Sequence, residues 1–424
     1  MQKRILLKAP ILSRSGYGEQ ARFALRSLRS REDLFDIYIY NIRWGHTGYS
    51  TSDTEEDRFI KECMKKAHDH HERGGTFDIS LQVTVPNEFE KIAAVNVGYT
   101  AGIETTKVTP HWIGQSNAAV NRIITTSVHS KEVFENTKYD VKDPNGREIK
   151  NWGLEVPIKA VGYPIRLHEP QELNIDFITE KNFLTVAQWG PRKNLDNTIK
   201  WFVEEYHDDD DVGLVVKTNT VCDSIVDRET TSRRLKILLA PYTEKKCKIY
   251  LLHGEVTEGN LTWLYQHPTM KALINISHGE GFGLPLFEAA CCGLPLIVPT
   301  WSGQMDFICK TNKKGKRVPR VATVAYDIVP IPAELRQGPN AEQIFAEGAM
   351  WAAAKERSYK RRLREVVTKE AHYRKEAEAL KNHILKTFTE ENQYREFTDF
   401  VIDSEPEMID WMEWNQEIQE PQEI

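Results

Sequence analysis

Short apolar runs alternate with longer amphipathic stretches through most of the chain. Residues 5–9, 37–40, 77–83, 95–99 and 123–127 form one series of runs; 183–187, 212–217, 249–252, 272–276 and 294–298 form a second. Most of these runs are short and largely apolar, which fits strands of parallel sheets covered on both faces. Between them, 16–28, 53–72, the stretch capped by Ser130 that includes Val133 and Phe134, the stretch from about Leu261, and 286–292 carry helical patterns. From 340 to about 393 an Ala-, Lys-, Arg- and Glu-rich sequence predicts helix throughout. Asp143-Pro144-Asn145-Gly146, between β-prone arms, predicts a hairpin insertion over about 139–156. Two series of strand–helix alternation predict an α/β protein of two doubly wound, Rossmann-like domains facing across a cleft. The first spans 1–166 and the second 182–390, with a polar linker at 167–181 and a C-terminal segment at 391–424.

The densest chemistry lies at 271–307. An apolar run ends at Ile276 and gives way to Ser277-His-Gly-Glu-Gly-Phe-Gly, with glycines at 279, 281 and 283. Glycine takes backbone angles closed to other residues and lets a ligand approach the main chain. Pro285 then opens a helix, where its missing N–H costs nothing, and Gly293 stops it. A loop feeding a helix start offers unpaired N–H groups and a positive dipole end, which suits a phosphate. Glu280 and Glu288 flank this turn and repel a phosphate, so both are free to bind hydroxyls. A nucleotide sugar carries both a diphosphate and two rings of hydroxyls.

Other loops repeat the theme. Ser13-Arg-Ser-Gly16-Tyr-Gly18 enters a helix after the first strand. Arg192 and Lys193 follow a strand end, where a guanidinium fork and an ammonium point charge can clamp a diphosphate. Arg43-Trp44-Gly-His-Thr-Gly-Tyr offers aromatics and donors that stack on sugars or bases.

Length and composition narrow the reading. With 424 residues the chain can bury two cores. An apolar content of 40% with 28% charged residues describes a soluble globular protein. No apolar run approaches the ~20 residues of a membrane span, and the early charges of the N-terminus do not fit a signal peptide. Cys63, Cys222, Cys247, Cys291, Cys292 and Cys309 form no Cys-x-x-Cys pair, so reduced thiols and a cytoplasmic location are expected. His68, His70 and His71 point in different directions on one helix, and no metal site is expected. A net charge of −6 excludes a global basic field, so any polyanion must meet a local patch. Residues 310–320 supply one: Lys310, Lys313, Lys314, Lys316, Arg317 and Arg320.

Glu280-Gly-Phe-Gly-Leu-Pro-Leu-Phe-Glu288, with the following Cys-Gly-Leu-Pro-Leu-Ile and Ser302-Gly303, resembles the E-x7-E signature of the family 4 retaining glycosyltransferases, which have the GT-B fold. The resemblance covers most of 1–310. It implies that Glu280 contacts the donor sugar, that Glu288 binds the ribose hydroxyls, and that Arg192 and Lys193 bind the diphosphate. It also implies a donor site lined by Gly16, Gly18, Lys217, His253, Gly281, Phe282, Gly283 and Leu284. The nucleotide sugar, expected to be a UDP-sugar, is a co-substrate, with no cofactor and no essential metal. The fold implies a C-terminal helix crossing back to the first domain, with Trp411 and Trp414 as anchors in an acidic tail. Two positions depart from the pattern: Gln188 stands where many relatives have Arg, and Thr100 and Glu104 stand where many place a His.

The chain as a whole, from Ser15-Gly-Tyr-Gly-Glu-Gln-Ala-Arg to Gly98-Tyr-Thr-Ala-Gly-Ile-Glu-Thr-Thr, resembles glycosyltransferases of tailed bacteriophages. That similarity implies a 5-hydroxymethylated pyrimidine in DNA as the acceptor, approached by Trp44, Glu104, Lys313, Lys314, Lys316 and Arg317. A glycan or lipid acceptor is the alternative. A non-catalytic nucleotide- or sugar-binding module is a third reading, which the intact Glu280/Glu288 and Arg192/Lys193 sets oppose.

Overall fold

A computed structural model describes residues 2–49, 53–142, 145–311, 315–336 and 344–402. The chain runs β1 (Lys3–Ala9), α1 (Gly16–Arg29), β2 (Phe35–Asn41), α2 (Glu55–Glu72), β3 (Ile79–Val83), β4 (Val95–Thr100), α3 (Pro110–Ala119), β5 (Arg122–Thr125), α4 (Val128–Asn136), the hairpin β6 (Tyr139–Lys142) and β7 (Glu148–Trp152), and β8 (Ile158–Ala160). After an extended stretch come β9 (Lys181–Val186), α5 (Leu195–Glu205), β10 (Val212–Lys217), α6 (Ile225–Leu239), β11 (Lys248–Leu252), α7 (Glu258–Gln266), β12 (Met270–Ile274), α8 (Leu284–Cys291), β13 (Leu296–Pro299) and α9 (Met305–Ile308). The last part holds β14 (Cys309–Thr311), β15 (Arg317–Pro319), β16 (Ala322–Val324), β17 (Tyr326–Pro330), β18 (Met350–Ala354), α10 (Glu356–Thr368), α11 (Glu370–Thr387) and α12 (Glu390–Ile402).

Among the described residues, two six-stranded sheets carry the fold, ordered β2-β1-β3-β4-β5-β8 and β11-β10-β9-β12-β13-β16, every pair parallel. Helices cover both faces, and the strand interiors are apolar as a result: Ile5 and Leu7 in β1, and Leu214 and Val216 in β10, are fully buried. Strand order reverses between β1 and β3 in one sheet and between β9 and β12 in the other. Ligands of open α/β sheets bind at the carboxyl ends of such strands. The loops after β9 and β12 are the ones that carry Arg192, Lys193 and Glu280.

One apolar cluster runs through both halves. Tyr163 meets Phe282 at 5.1 Å, and Phe282 meets Phe287 and Phe307. α12 packs on α1, with Phe397 5.1 Å from Phe23 and 5.0 Å from Tyr99. It is pinned by the Arg122 guanidinium donating to the Phe400 carbonyl (3.1 Å) and by a Lys159–Glu396 ion pair (2.6 Å).

Three local expectations are corrected. The stretch from 340 onward is not continuous helix: Met350–Ala354 pairs antiparallel with Tyr326–Pro330, and helix starts only at Glu356. Its alternation buries Trp351 against its own small core of Ile331, Ala346 and Ala349, and that pairing overrides the helix preference of alanine. Ser127, not Ser130, caps α4, because its side chain accepts the Ser130 N–H. β12 ends at Ile274, before Asn275 and Ile276. Lys313, Lys314, and the tail from 403 with Trp411 and Trp414 lie outside the described residues. No helix among the described residues is long and apolar enough to cross a membrane.

Candidate donor site

Glu280 stands at the centre. It is 5% exposed, and Lys193 Nζ donates to both its oxygens at 2.7 and 2.6 Å. Arg192 Nη1 reaches it at 3.3 Å and also donates to the Gly279 carbonyl at 2.6 Å, while Asn275 Nδ2 donates at 2.9 Å. Burial alone would push this carboxyl up; Lys193 and Arg192 instead hold it at about 2, so it is ionised. Burial pulls the Lys193 ammonium below the usual lysine range against the pull of Glu280. Arg192 also pairs with Glu104 at 3.2 Å, across from the first sheet's half. Two cations and two carboxylates therefore balance, and a diphosphate reaching Arg192 competes with Glu104 for it.

The glycines of the loop do different work from that expected. A Cβ on Gly279 would lie 2.4 Å from the Glu104 carbonyl oxygen, one on Gly281 2.8 Å from that of Ala101, and one on Gly303 2.0 Å from that of Gly281. These glycines let the loop seat against residues 101–104 and against the next loop. Gly283 is the conformational one: at φ +96° it turns the chain into α8. Phe282 is 3% exposed in the apolar cluster, so its side chain is core and does not line the donor site as expected. Leu284 opens α8 and is half-buried. Ser302, a non-glycine at φ +62°, accepts the Glu280 N–H at 2.8 Å and donates to Gln304, fixing the loop from behind.

Glu288 lies about one turn into α8, half-buried, with Tyr265 donating to it at 3.1 Å. Burial raises its carboxyl to about 7. His253 is spoken for: its Nε2 lies 2.8 Å from Asp227, which also accepts the N–H groups of Thr220 and Val221. Burial opposes these bonds, yet they hold Asp227 below the usual carboxylate range. The histidine thus braces the β10–α6 loop instead of presenting a free ring to the donor. Lys217 Nζ donates to the Gly254 carbonyl at 2.8 Å, and burial lowers its pKa. Gln188, at the position where many members of the resembled family carry an arginine, donates to the Thr220 carbonyl at 3.1 Å.

From the other half, Gly16 opens α1 with no atom within 4 Å of a built Cβ, whereas Gly18 would put one 1.9 Å from the Ser13 carbonyl oxygen. Gly16 leaves open space beside its backbone, and Gly18 is required by loop–helix packing. Trp44 stacks on Tyr17 at 4.1 Å. The Tyr17 hydroxyl bonds to Thr100 Oγ1 at 3.0 Å and accepts the Ala101 N–H at 3.3 Å; burial pushes its pKa up to about 12. Arg14 of this loop pairs with Glu255 across the halves. In the basic stretch, Arg320 pairs with Glu376 at 2.7 Å. Arg317 donates to the Met305 carbonyl and lies 3.8 Å from Asp306, while Lys316 is exposed at the hairpin tip. Asp306 in turn accepts the Val128 N–H at 2.8 Å. Asn275, Tyr265, Asp227 and Tyr17 were not expected as site residues from the sequence, and Ser302 entered only as part of the motif. Among the described residues no group of three or more His, Cys, Asp or Glu is arranged to hold a metal ion.

Residues 268–397 match the model of the family 4 glycosyltransferases in conflict systems. Over 147 residues the chain is 29% identical to the serotype-specific mannosyltransferase WbdA of Escherichia coli, an alignment covering 34% of this chain. The chain spans only 16% of that relative's length. Sucrose-phosphate synthase from Thermosynechococcus elongatus superposes with a TM-score of 0.60 at 12% identity, over 94% of this chain and 98% of that one. Anabaena HepE, solved with UDP-glucose, gives 0.56 at 11% identity over 95% and 100%. The lipopolysaccharide outer core galactosyltransferase WaaB gives 0.54 at 11% over 95% and 99%. The chain has the GT-B fold. The family match spans the stretch that holds both Glu280 and Glu288.

Proposed function

We propose that this chain is a nucleotide-sugar-dependent glycosyltransferase that retains the anomeric configuration of its donor. The observation that carries the reading is the convergence of Arg192 and Lys193 on Glu280 where the second sheet reverses strand order, in front of α8. In this reading the donor diphosphate displaces Glu104 from Arg192, and the two cations with the α8 N-terminus neutralise charge developing on the leaving group. Glu280 binds hydroxyls of the donor sugar, Glu288 binds the ribose, and no metal ion is invoked. The family match and the UDP-glucose complex of a similarly folded protein support a nucleotide sugar, with UDP as the favoured nucleotide.

For the acceptor we infer a 5-hydroxymethylated pyrimidine in DNA. The β14–β15 hairpin carries Lys316 and Arg317 beside Asp306, which bonds to Val128 of the first half, so this basic strand pair borders the cleft. In this reading Lys316 and Arg317, with Lys313 and Lys314 of the same sequence run, supply the phosphate partners. A glycan acceptor is the second reading, favoured by the WbdA match. A donor-consumption screen over nucleotide sugars, with hydroxymethylated DNA, unmodified DNA or an oligosaccharide mixture added, tests both. Transfer to hydroxymethylated DNA supports the first reading. Transfer to oligosaccharide alone replaces it with the second. The anomer of the product, read by NMR, tests retention.

A further inference from the structure

One cross-cleft feature plays no part in the donor site. His129, in the first turn of α4, and Trp301, in the loop after β13, meet edge to face with ring centroids 5.0 Å apart. They come from opposite halves. His129 Nε2 and Trp301 Nε1 are both buried, and neither has a hydrogen-bond partner. The imidazole hydrogen-bonds to the Thr105 backbone; burial outweighs that bond and keeps the ring neutral, with a pKa of about 4. Behind Trp301, Tyr326 lies 6.1 Å away with its hydroxyl donating to the Thr300 carbonyl at 2.9 Å.

Unmet buried polar groups are costly in folded chains, and water or a ligand group that reaches them relieves the cost. The indole N–H can only donate. A neutral imidazole nitrogen left without its proton can only accept. A single hydroxyl serves both, because its oxygen accepts while its proton donates. The position suits an incoming hydroxyl. Thr105 follows Glu104, the partner of Arg192, and Trp301 precedes Ser302, whose Oγ accepts the Glu280 N–H. Thr126, three residues before His129, donates to the Gly281 carbonyl at 3.3 Å. The pair therefore stands on the two segments that flank Glu280.

We propose that His129 and Trp301 hold the acceptor hydroxyl, the histidine Nε2 accepting its proton in a hydrogen bond and the tryptophan Nε1–H donating to its oxygen. This rests on the glycosyl-transfer reading above. The test uses the full chain with UDP-glucose, UDP-galactose, UDP-N-acetylglucosamine and GDP-mannose as donors, and water in the acceptor's place. His129→Phe and Trp301→Phe keep the ring contact and remove the polar atom. Each lowers kcat for donor hydrolysis at least tenfold, leaves the donor KM unchanged, and leaves UDP affinity within twofold of wild type. His129→Asn, whose side-chain oxygen can accept the same bond, recovers part of the loss. Wild-type hydrolysis rates in both Phe variants, with UDP bound normally, overturn the proposal. A wild-type chain that binds neither UDP nor GDP overturns the transfer reading itself, and this inference with it.

Discussion

At the scale of single residues the two glutamates have opposite environments. Glu280 is held ionised by Lys193 and Arg192, while Glu288 is held near neutrality by burial with one hydroxyl partner. Removing Lys193 leaves a buried carboxylate with only part of its compensation. Lys193→Ala is therefore expected to destabilise the chain by about 3 kcal/mol, read from urea midpoints at unchanged slope. A loss below 0.5 kcal/mol, the usual scatter of surface changes, would contradict the pairing. Glu288 gives a pH dependence with a definite sign. Its folded pKa of about 7 lies above the ordinary carboxyl value, so its contribution to stability is present below that value and is lost as pH rises through about 7. For the proposed ribose binding the sign is reversed, because a carboxylate accepts hydroxyls more strongly than the acid does. Uridine affinity is expected to rise about fivefold from pH 6 to 8, the step from a neutral to a charged hydrogen bond. Glu288→Gln should flatten that curve; a rise of equal size in the variant would assign it to another group.

At the scale of elements, the strand–loop–helix unit around Glu280 was legible because one local sequence specifies all of it: an apolar run, a turn at Gly283, Pro285 inside the first turn, and Gly293 at its end. The glycines were legible as glycines but not in their roles. Whether a missing Cβ makes room for a ligand or for another loop depends on what the other half brings near, and nothing local to Gly279 or Gly281 announces residues 101–104. The same holds for His253, whose partner Asp227 is distant in sequence, and for His129, which sits inconspicuously in Thr-Thr-Ser-Val-His-Ser. The β17–β18 ribbon was hidden by the alanines of Met350–Ala354. The signal available was Trp351 ahead of the charged start of α10. The α1 entrance tests the steric reading directly. Gly18→Ala is expected to cost about 2 kcal/mol, because its Cβ would collide with the Ser13 carbonyl. Gly16→Ala is expected to cost less than about 0.5 kcal/mol in stability. Equal denaturation midpoints for the two variants would contradict it.

At the scale of the whole molecule, two sheets are fastened by contacts that mostly involve the site itself. Glu104 reaches Arg192, Thr126 reaches Gly281, Val128 reaches Asp306, and α12 closes the far side through Phe397. Phe397→Ala removes a fully buried ring and is expected to cost about 3–5 kcal/mol. An unchanged thermal midpoint would show that α12 does not fasten the halves. In the proposed reading donor recognition draws on the same second-sheet loops, so the account stands or falls on whether they bind a nucleoside diphosphate. The direct measurement is calorimetric titration of the full chain with UDP and GDP, repeated on Glu288→Ala and on the Arg192→Ala, Lys193→Ala double variant. The account predicts saturable one-site binding by the wild type. Glu288→Ala should weaken it about ten- to a hundredfold, the worth of a charged hydrogen bond, and the double variant should lose affinity for the diphosphate while keeping that for the nucleoside. No binding of either nucleotide by the wild type, or equal affinity in all three proteins, would contradict it.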